Sequence, residues 1–438
     1  KQLKQIQEER EEQPPSSPPQ PQPQNEPNGH IVSNGQNGHH IKENNSNIEE
    51  ERHKPGGSSS QSSSSPIYAS IDPSKILEWD EMKNENEAFA RKNRNRINLL
   101  TKLLEQSVLD STGLRRACWR GIPKCMRPSI WKLLLGYIPK NLSRRQATLK
   151  RKRHEYFDLM ERYYNQTQSE HRSDQENKIV HQIGLDVPRT SPELKLFQIE
   201  CIKQLLSRAL YIWALRHAAT GYVQGINDLI TPFVYIFLDE YVQQNYNGIT
   251  LDENFEISRQ LIASKLTEKD LLNIEADSYW CLDYLIEGLQ LNYTDNQPGI
   301  YHMVSQLEDV IKRVNGELYA HFAAQKIEIF QFSFRWMNCL LMRELSLQNI
   351  IRLWDTYLCE GVELSAGFSE FHVFVCAALL LSFADELMKK DFAEIMLFLQ
   401  DMPSVTAKWG ERQIETILSE AYVYQQLFGK NTGKLPLY

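Results

Sequence analysis

The chain has 438 residues and a formal net charge of -7, with a pI near 6.0. That length suits one large domain or two plus tails, and the mild acidity argues against nucleic acid as a main partner. Seven cysteines without a C-x-x-C pair argue against a disulfide framework or a zinc module and fit a reducing cytosolic setting. The sequence opens on Lys1 rather than methionine, consistent with residues upstream, and its first thirty residues hold no apolar run of the kind a signal peptide needs. The most apolar segment, Phe371 to Ala384, is shorter than the ~20 residues of a membrane span. Residues 1–66 read as a disordered low-complexity tail: a charged run from Lys1 to Glu12, Pro- and Gln-rich sequence from Pro14 to Pro27, then serine tracts at Ser58–Ser60 and Ser62–Ser65. Almost no aliphatic side chain is present there to offset the entropy of ordering. His39-His40 reads as a solvated pair rather than a metal site, and the tail is left as a segment for adaptor proteins or phosphates.

A helical lead-in is expected over residues 67–110. Ile76, Leu77, Trp79 and Met82 make a short apolar patch; Ile97, Leu99, Leu100, Leu103 and Leu104, after Arg94 and Arg96, repeat with helical period. The narrow stripe reads as a strut packed on the main domain, with a membrane- or partner-binding helix as the alternative. The domain core is placed at 111–384 and further helices packed on it at 385–438. Gly121-Ile122-Pro123 is a turn, and Arg127-Pro128 opens a helix whose buried face is Trp131, Leu134 and Leu135. Arg127 reads as a ligand for carbonyls of a neighbouring helix, with a phosphate contact as the alternative. The basic run Lys140 to Arg153 reads as a solvated helix face; the alternatives are an acidic partner or lipid, or a kinase site at Thr148. Glu155 to Tyr164 reads as a helix and Asn165 to Glu176 as a mobile polar loop.

Two short motifs follow. In Ile183-Gly184-Leu185-Asp186-Val187-Pro188-Arg189, the residue before proline is expected to be extended, which puts Arg189 on a stiff loop. Ile183 is expected to anchor that loop in the core, and Asp186 to hold the loop or the Arg189 guanidinium; an ordinary Asp186–Arg189 surface pair is the plain alternative. From Leu194 to Leu215 the spacing predicts one helix, about 30 Å long at ~1.5 Å per residue, entered through Thr190-Ser191-Pro192-Glu193. Beyond it lies Tyr222-Val223-Gln224-Gly225. The amide of Gln224 offers one acceptor and two donors, or else caps a helix. Gly225 is expected to let the backbone approach a partner, Tyr222 to pack and position the turn, and Asn227 with Asp228 to cap the next helix. The two motifs can meet over a partner only if the rest of the domain folds back.

The remainder reads as helix after helix. Pro232 breaks or kinks one that resumes at Phe233, and Tyr241 to Glu256 reads as a polar loop. Trp280 to Leu289 makes one apolar stripe, and Pro298 opens the next helix. Arg335 to Leu345 is expected to be helical, with Ser346 capping Leu347 to Leu358 and Ser369 capping Phe371 to Phe383. Phe392 to Leu399 and Ile414 to Leu427 close the chain. There is no βαβ alternation and no glycine-rich phosphate loop, so the fold class is all-α and the chain is not expected to bind nucleotide itself.

I-x-x-D-x-x-R followed by Y-x-Q-G resembles the signatures of the TBC domain, the Rab GTPase-activating module. The resemblance extends to Trp119-Arg120-Gly121-Ile122-Pro123, Arg127-Pro128-Ser129-Ile130-Trp131, Ile274 to Cys281, Phe334 to Asn338, Met342-Arg343-Glu344-Leu345 and Arg352 to Tyr357. It covers roughly residues 111 to 420, and the wording is nearest to the branch called TBC domain family member 22. The resemblance implies a multi-helix Rab-GAP domain that is an activator rather than an enzyme. Arg189 and Gln224 would be its arginine and glutamine fingers, with Ile183, Asp186, Tyr222 and Gly225 in support. It implies a Rab-family GTPase in the GTP form as partner, with GTP and Mg2+ carried by that partner and no cofactor or metal of the chain's own. Vesicle trafficking, with peripheral association on Golgi or other endomembranes, is the implied setting. A non-catalytic adaptor that tethers partners through the domain surface and tail is the competing reading; a metal- or nucleophile-based hydrolase lacks the clustered residues it needs.

Overall fold

The structure is a computed structural model that describes residues 87–165, 172–218, 220–245, 251, 262, 266–294 and 296–429. The expected tail 1–66 and the apolar patch Ile76 to Met82 lie outside the described residues. Among the described residues every regular element is helical, with one isolated antiparallel bridge between Val108 and Asn141. The helices of eight or more residues are α1 (Glu87–Leu104), α2 (Ser111–Cys118), α3 (Arg127–Leu134), α4 (Arg145–Met160) and α5 (Asp174–Asp186). They continue with α6 (Glu200–Arg216), α7 (Thr231–Asn245), α8 (Glu268–Glu287), α9 (Pro298–Val314) and α10 (Gly316–Ala324). The last are α11 (Ile329–Asn338), α12 (Leu347–Tyr357), α13 (His372–Leu381), α14 (Phe392–Gln400) and α15 (Glu411–Phe428).

Local chemistry explains many of the starts. Asp110 accepts from the Gly113 N–H to cap α2, Pro128 and Pro298 sit in the first turns of α3 and α9, and Ser346 accepts from Asn349 N–H at α12. Reciprocal capping boxes open α5 (Ser173 with Glu176) and α8 (Thr267 with Asp270). Ile97, Leu100 and Leu104 of α1 are buried in the common core, so the lead-in helix is a strut on the domain. Ile395, Leu399, Ile414 and Leu418 of α14 and α15 join the same core. The apolar segment after Phe371 becomes α13, buried from His372 to Leu380 between α9 and α15. It is apolar all round because it is central. No described helix is long and apolar enough to cross a membrane.

The core also encloses charge. Asp277 on α8 accepts from Tyr137 OH at 2.7 Å and from Arg153 Nε at 2.9 Å, and pairs with Lys132 Nζ at 2.8 Å. Burial opposes its ionisation, but Lys132 and Arg153 outweigh burial and hold the carboxyl below the usual carboxylate range. Asp355 on α12 pairs with Arg127 (2.9 Å) and accepts from Trp131 Nε1 (2.7 Å) and the Ile122 N–H (2.8 Å). Arg127 therefore serves chiefly a carboxylate, with one carbonyl, that of Ile122, at 2.8 Å. The expected solvated face of Lys140–Arg153 also needs correcting. Arg145 is buried and donates to the carbonyls of Leu104 and Lys140, while Arg153 points at Asp277. Buried guanidinium groups need such partners because an unpaired charge in the core is very costly.

Several boundaries differ from those read in the sequence. Residues 195–198 form a separate 3₁₀ turn, and α6 starts only at Glu200, so Leu194–Leu215 is not one helix. Ser191 lies in the left-handed region (φ 39°), which makes Thr190–Glu193 a reversal instead of a cap. Asp174–Glu176 belongs to α5, and α7 runs through Tyr241 to Asn245, where loops were expected. Capping by Ser173 extends the first, and Tyr241 OH holds the second to Asp270 at 2.8 Å. α11 stops at Asn338 because Leu340 and Leu341 are left-handed (φ 49° and 61°), with Leu341 N–H returning to Trp336 O at 3.1 Å. Ser369 lies inside a π-helical turn, Ala366–Phe371, and caps nothing there.

Candidate functional site

The arginine motif closes α5. After Asp186 the chain tightens into a single 3₁₀ turn, Val187–Arg189. Val187 is helical (φ -57°, ψ -45°) although proline follows, so Arg189 continues a helix and is not carried on an extended loop. Proline is tolerated there because its missing N–H falls at the start of a new turn. The Thr190 hydroxyl, buried, donates to the Asp186 carbonyl at 3.0 Å and fastens that turn. Arg189 leaves it with its side chain 62% exposed; Nη2 meets Asp186 Oδ1 at 2.6 Å and Nε donates to Leu185 O at 2.7 Å. Asp186 is buried, and its other oxygen accepts from Gln182 Nε2 and Tyr222 OH, both at 3.1 Å. Ile183 is in the core one turn before Asp186.

The glutamine motif lies in the turn between α6 and α7. Gly225 adopts φ 112°, and a Cβ there would sit 2.7 Å from Asn338 Nδ2 and 3.1 Å from Cys339 Sγ. The space that glycine leaves is filled by this chain itself, a correction to its expected use for a partner's approach. Asn338 Nδ2 donates to the Gln224 carbonyl at 2.9 Å and fixes the turn by its backbone. The Gln224 side chain is exposed, and among the described residues its amide has no hydrogen-bond partner. It caps no helix: the next helical turn, Ile226–Leu229, starts at Gly225 without a side-chain cap. Asn227 and Asp228 are buried within that turn instead of capping it.

Asn227 joins the two motifs. Its Oδ1 accepts from Gly225 N–H at 3.1 Å, and its Nδ2 donates to Thr190 Oγ1 at 2.9 Å. Together with Tyr222–Asp186, this places both motifs on one rigid junction. Burial, with Asp186 beside it, pushes the Tyr222 phenol well above its usual range, so it stays a neutral donor. Asp228 is bound by Arg343 Nε at 2.7 Å; burial raises its carboxyl above the ordinary value, and Arg343 opposes that rise. From the sequence, Asn227 and Asp228 are expected only as helix caps, and Asn338 and Arg343 carry no role of their own. Asn338 and Arg343 stand in the quoted blocks Phe334–Asn338 and Met342–Leu345, but nothing local ties them to Gln224, 114 residues from Asn338. No group of three or more His, Cys, Asp or Glu side chains able to hold a metal occurs among the described residues.

Fold and surface together define an all-helical protein that presents an arginine and a glutamine outward from a hydrogen-bonded base. Residues 124–388 match the Rab-GTPase-TBC domain, and the chain belongs to that family. It is 46% identical over 333 residues to the GTPase-activating protein gyp1 of Schizosaccharomyces pombe, covering 76% of this chain and 61% of the relative. It is 43% identical over 336 residues to human TBC1 domain family member 22B, covering 76% and 62%. The match thus spans about three fifths of the length of these relatives. The crystal structure of the Ypt/Rab-GAP domain of Gyp1p is similar, with a TM-score of 0.68 and 41% identity over 76% of this chain and 98% of that one.

Proposed function

We propose that this protein is a GTPase-activating protein for a Rab-family small GTPase in its GTP form, supplying Arg189 as an arginine finger and Gln224 as a glutamine finger in trans. The observation that carries the reading is the junction: two exposed side chains from separate motifs, based on buried partners that bond to each other. The names of the relatives, GTPase-activating protein among them, agree with it. Hydrolysis of GTP builds negative charge on the γ-phosphate oxygens and the leaving oxygen, which a planar, permanently charged guanidinium stabilises. It also needs a water held in line with the γ-phosphate, and a free side-chain amide can hold that water while touching a phosphate oxygen. Ile183, Asp186, Tyr222 and Gly225 act in support, through anchoring and hydrogen bonding. GTP and Mg2+ belong to the partner. The setting we assign is vesicle trafficking, with peripheral association on Golgi or other endomembranes.

The test is single-turnover GTP hydrolysis across a Rab panel under saturating protein, in four combinations. Wild-type chain and Gln224→Ala are each paired with a wild-type Rab and with one whose own glutamine is changed to leucine. If Gln224 positions the water, the glutamine-less Rab is still stimulated substantially by the wild-type chain, and Gln224→Ala lowers turnover more than binding. No stimulation of a glutamine-less Rab that still binds would leave Gln224 a structural residue.

A further inference from the structure

We propose that an apolar patch beside the glutamine turn, formed by Leu291, Tyr301, Phe330 and Phe334, is the docking surface for apolar side chains that the GTP-bound GTPase presents next to its nucleotide. This rests on the function proposed above and adds to the fingers a second, purely apolar contact. Leu291 is 64% and Tyr301 57% exposed. The Tyr301 ring stacks on Phe330 at 5.1 Å between centroids and 15° between planes, and Phe330 meets Phe334 at 5.3 Å. A preformed aromatic ladder half open to solvent is large, rigid and low in entropy, the character of an interface anchor.

Its position is what names the occupant. Phe330, Phe334 and Asn338 succeed one another four residues apart on α11 and so share a face. Asn338 is the residue that holds the Gln224 carbonyl. Tyr301 lies four residues beyond Gln297, whose Nε2 donates to Asn338 Oδ1 at 3.3 Å and to Asn292 O at 3.0 Å. Leu291 directly precedes Asn292, and its backbone is pressed on α9, where a Cβ at Gly299 would be 2.9 Å from the Leu291 carbonyl carbon. Tyr301, Phe330 and Phe334 are therefore linked through α9 and α11 to the Gln297–Asn338 pair under the glutamine turn, and Leu291 joins them through its backbone packing on α9. At ~1.5 Å per residue, Phe334 and Phe330 lie about 6 and 12 Å along the helix from Asn338. A specific interface covers ~800 Å² on each partner, a disc of about 16 Å radius. A GTPase placed with its γ-phosphate over Gln224 therefore spreads across this patch. Exposed apolar side chains occur elsewhere, with Val362 outside any aromatic stack and Leu397 beside the Phe398–Phe383–Trp409 stack (5.3 and 5.5 Å between centroids), but neither is tied to the Gln297–Asn338 pair.

The experiment uses the full chain and the GTP-loaded Rab that it stimulates most strongly in the panel, with single-turnover rates measured over a range of chain concentrations. Leu291→Ser with Tyr301→Ser is expected to raise the half-saturating concentration by about tenfold or more while the maximal rate stays within about twofold. The effect should persist at about 0.5 M salt, since an apolar contact is not screened. Tyr301→Phe should behave as wild type, and Val362→Ser or Leu397→Ser should change nothing. Leu291→Ser alone, at a solvent-facing position, supplies the same readout should the double variant lose its fold. An unchanged half-saturating concentration while Gln224→Ala still lowers the maximal rate would overturn the patch and leave the fingers standing. Equal losses from the distant serine variants would overturn it as well. Full activity in Gln224→Ala and Arg189→Ala would remove the underlying reading and the patch with it.

Discussion

Two arginines, each beside a carboxylate, are put to opposite uses in this molecule. Arg153 and Lys132 converge on Asp277, which is fully enclosed and also takes the Tyr137 hydroxyl. Arg189 instead grips Asp186 through one nitrogen, with 62% of its side chain in solvent, while Asp186 spends its second oxygen on Gln182 and Tyr222. In the enclosed cluster the charges hold helices together, and removing one strands the others. In the second pair the buried carboxylate is needed by its neighbours whether or not the exposed guanidinium stays. Asp186 is buried but keeps the Gln182 and Tyr222 donors when the mostly exposed guanidinium swings away, so Arg189 can turn to a stronger anion while the carboxylate stays hydrogen-bonded.

Arg189→Ala should give the largest effect of all, and on activity alone. An arginine finger is worth ~10³- to 10⁵-fold in hydrolysis, or about 4–7 kcal/mol. The thermal midpoint should barely move, and Arg189→Lys should fail to restore the rate because a point charge lacks the planar fork. Stimulation above about a tenth of wild type in the alanine variant would break the contrast at its surface end. Asp277→Asn should do the reverse. Arg153 without its carboxylate and Lys132 left with Glu240 alone, at 3.5 Å, are expected to lower stability by about 3–5 kcal/mol in urea unfolding. A loss below about 1 kcal/mol would show that the enclosed pair is no more structural than the exposed one.

A neutral enclosed group sharpens the comparison and gives a smaller effect. His372 is buried between Tyr357 OH, 2.7 Å from Nδ1, and the Trp336 carbonyl, 3.1 Å from Nε2; burial pulls its pKa down to about 4. The unfolded chain, near 6.5, binds the proton more readily, so stability is full above about pH 6.5 and is lost as the pH falls toward 4. The loss amounts to about 3 kcal/mol. Urea unfolding of wild type and His372→Gln between pH 7 and 4 checks it: only the wild type should carry this component, and parallel profiles would contradict it.

The sequence disclosed what is decided locally. The helix starts at Pro128, Pro298 and Ser346, and the apolar stripes at Ile97–Leu104 and Trp280–Leu289, depend on residues within one or two turns of each other. The Arg189–Asp186 pairing was legible for the same reason, three residues apart. Misreadings arose where a distant residue sets the local form. Arg145 and Arg153 look like surface charges until α1 and α8 arrive with the Leu104 carbonyl and Asp277. Gly225 looks like room for a partner until Asn338 fills it. Leu340 and Leu341, both buried, take left-handed backbone that leucine rarely adopts, because packing overrides propensity there.

The bonds that set the glutamine turn span long stretches of chain: Asn338 reaches back 114 residues to Gln224, and Arg343 reaches back 115 to Asp228. On the ribosome, Arg189 and Gln224 therefore emerge long before the groups that orient them. At about 5–20 residues per second, a nascent chain carries its pair for several seconds without the bracing that fixes the turn. A fragment ending before α11 keeps every residue of the two motifs and lacks this far-side support. Such long-range closure is slow to form, which places completion of the working surface among the last events of folding.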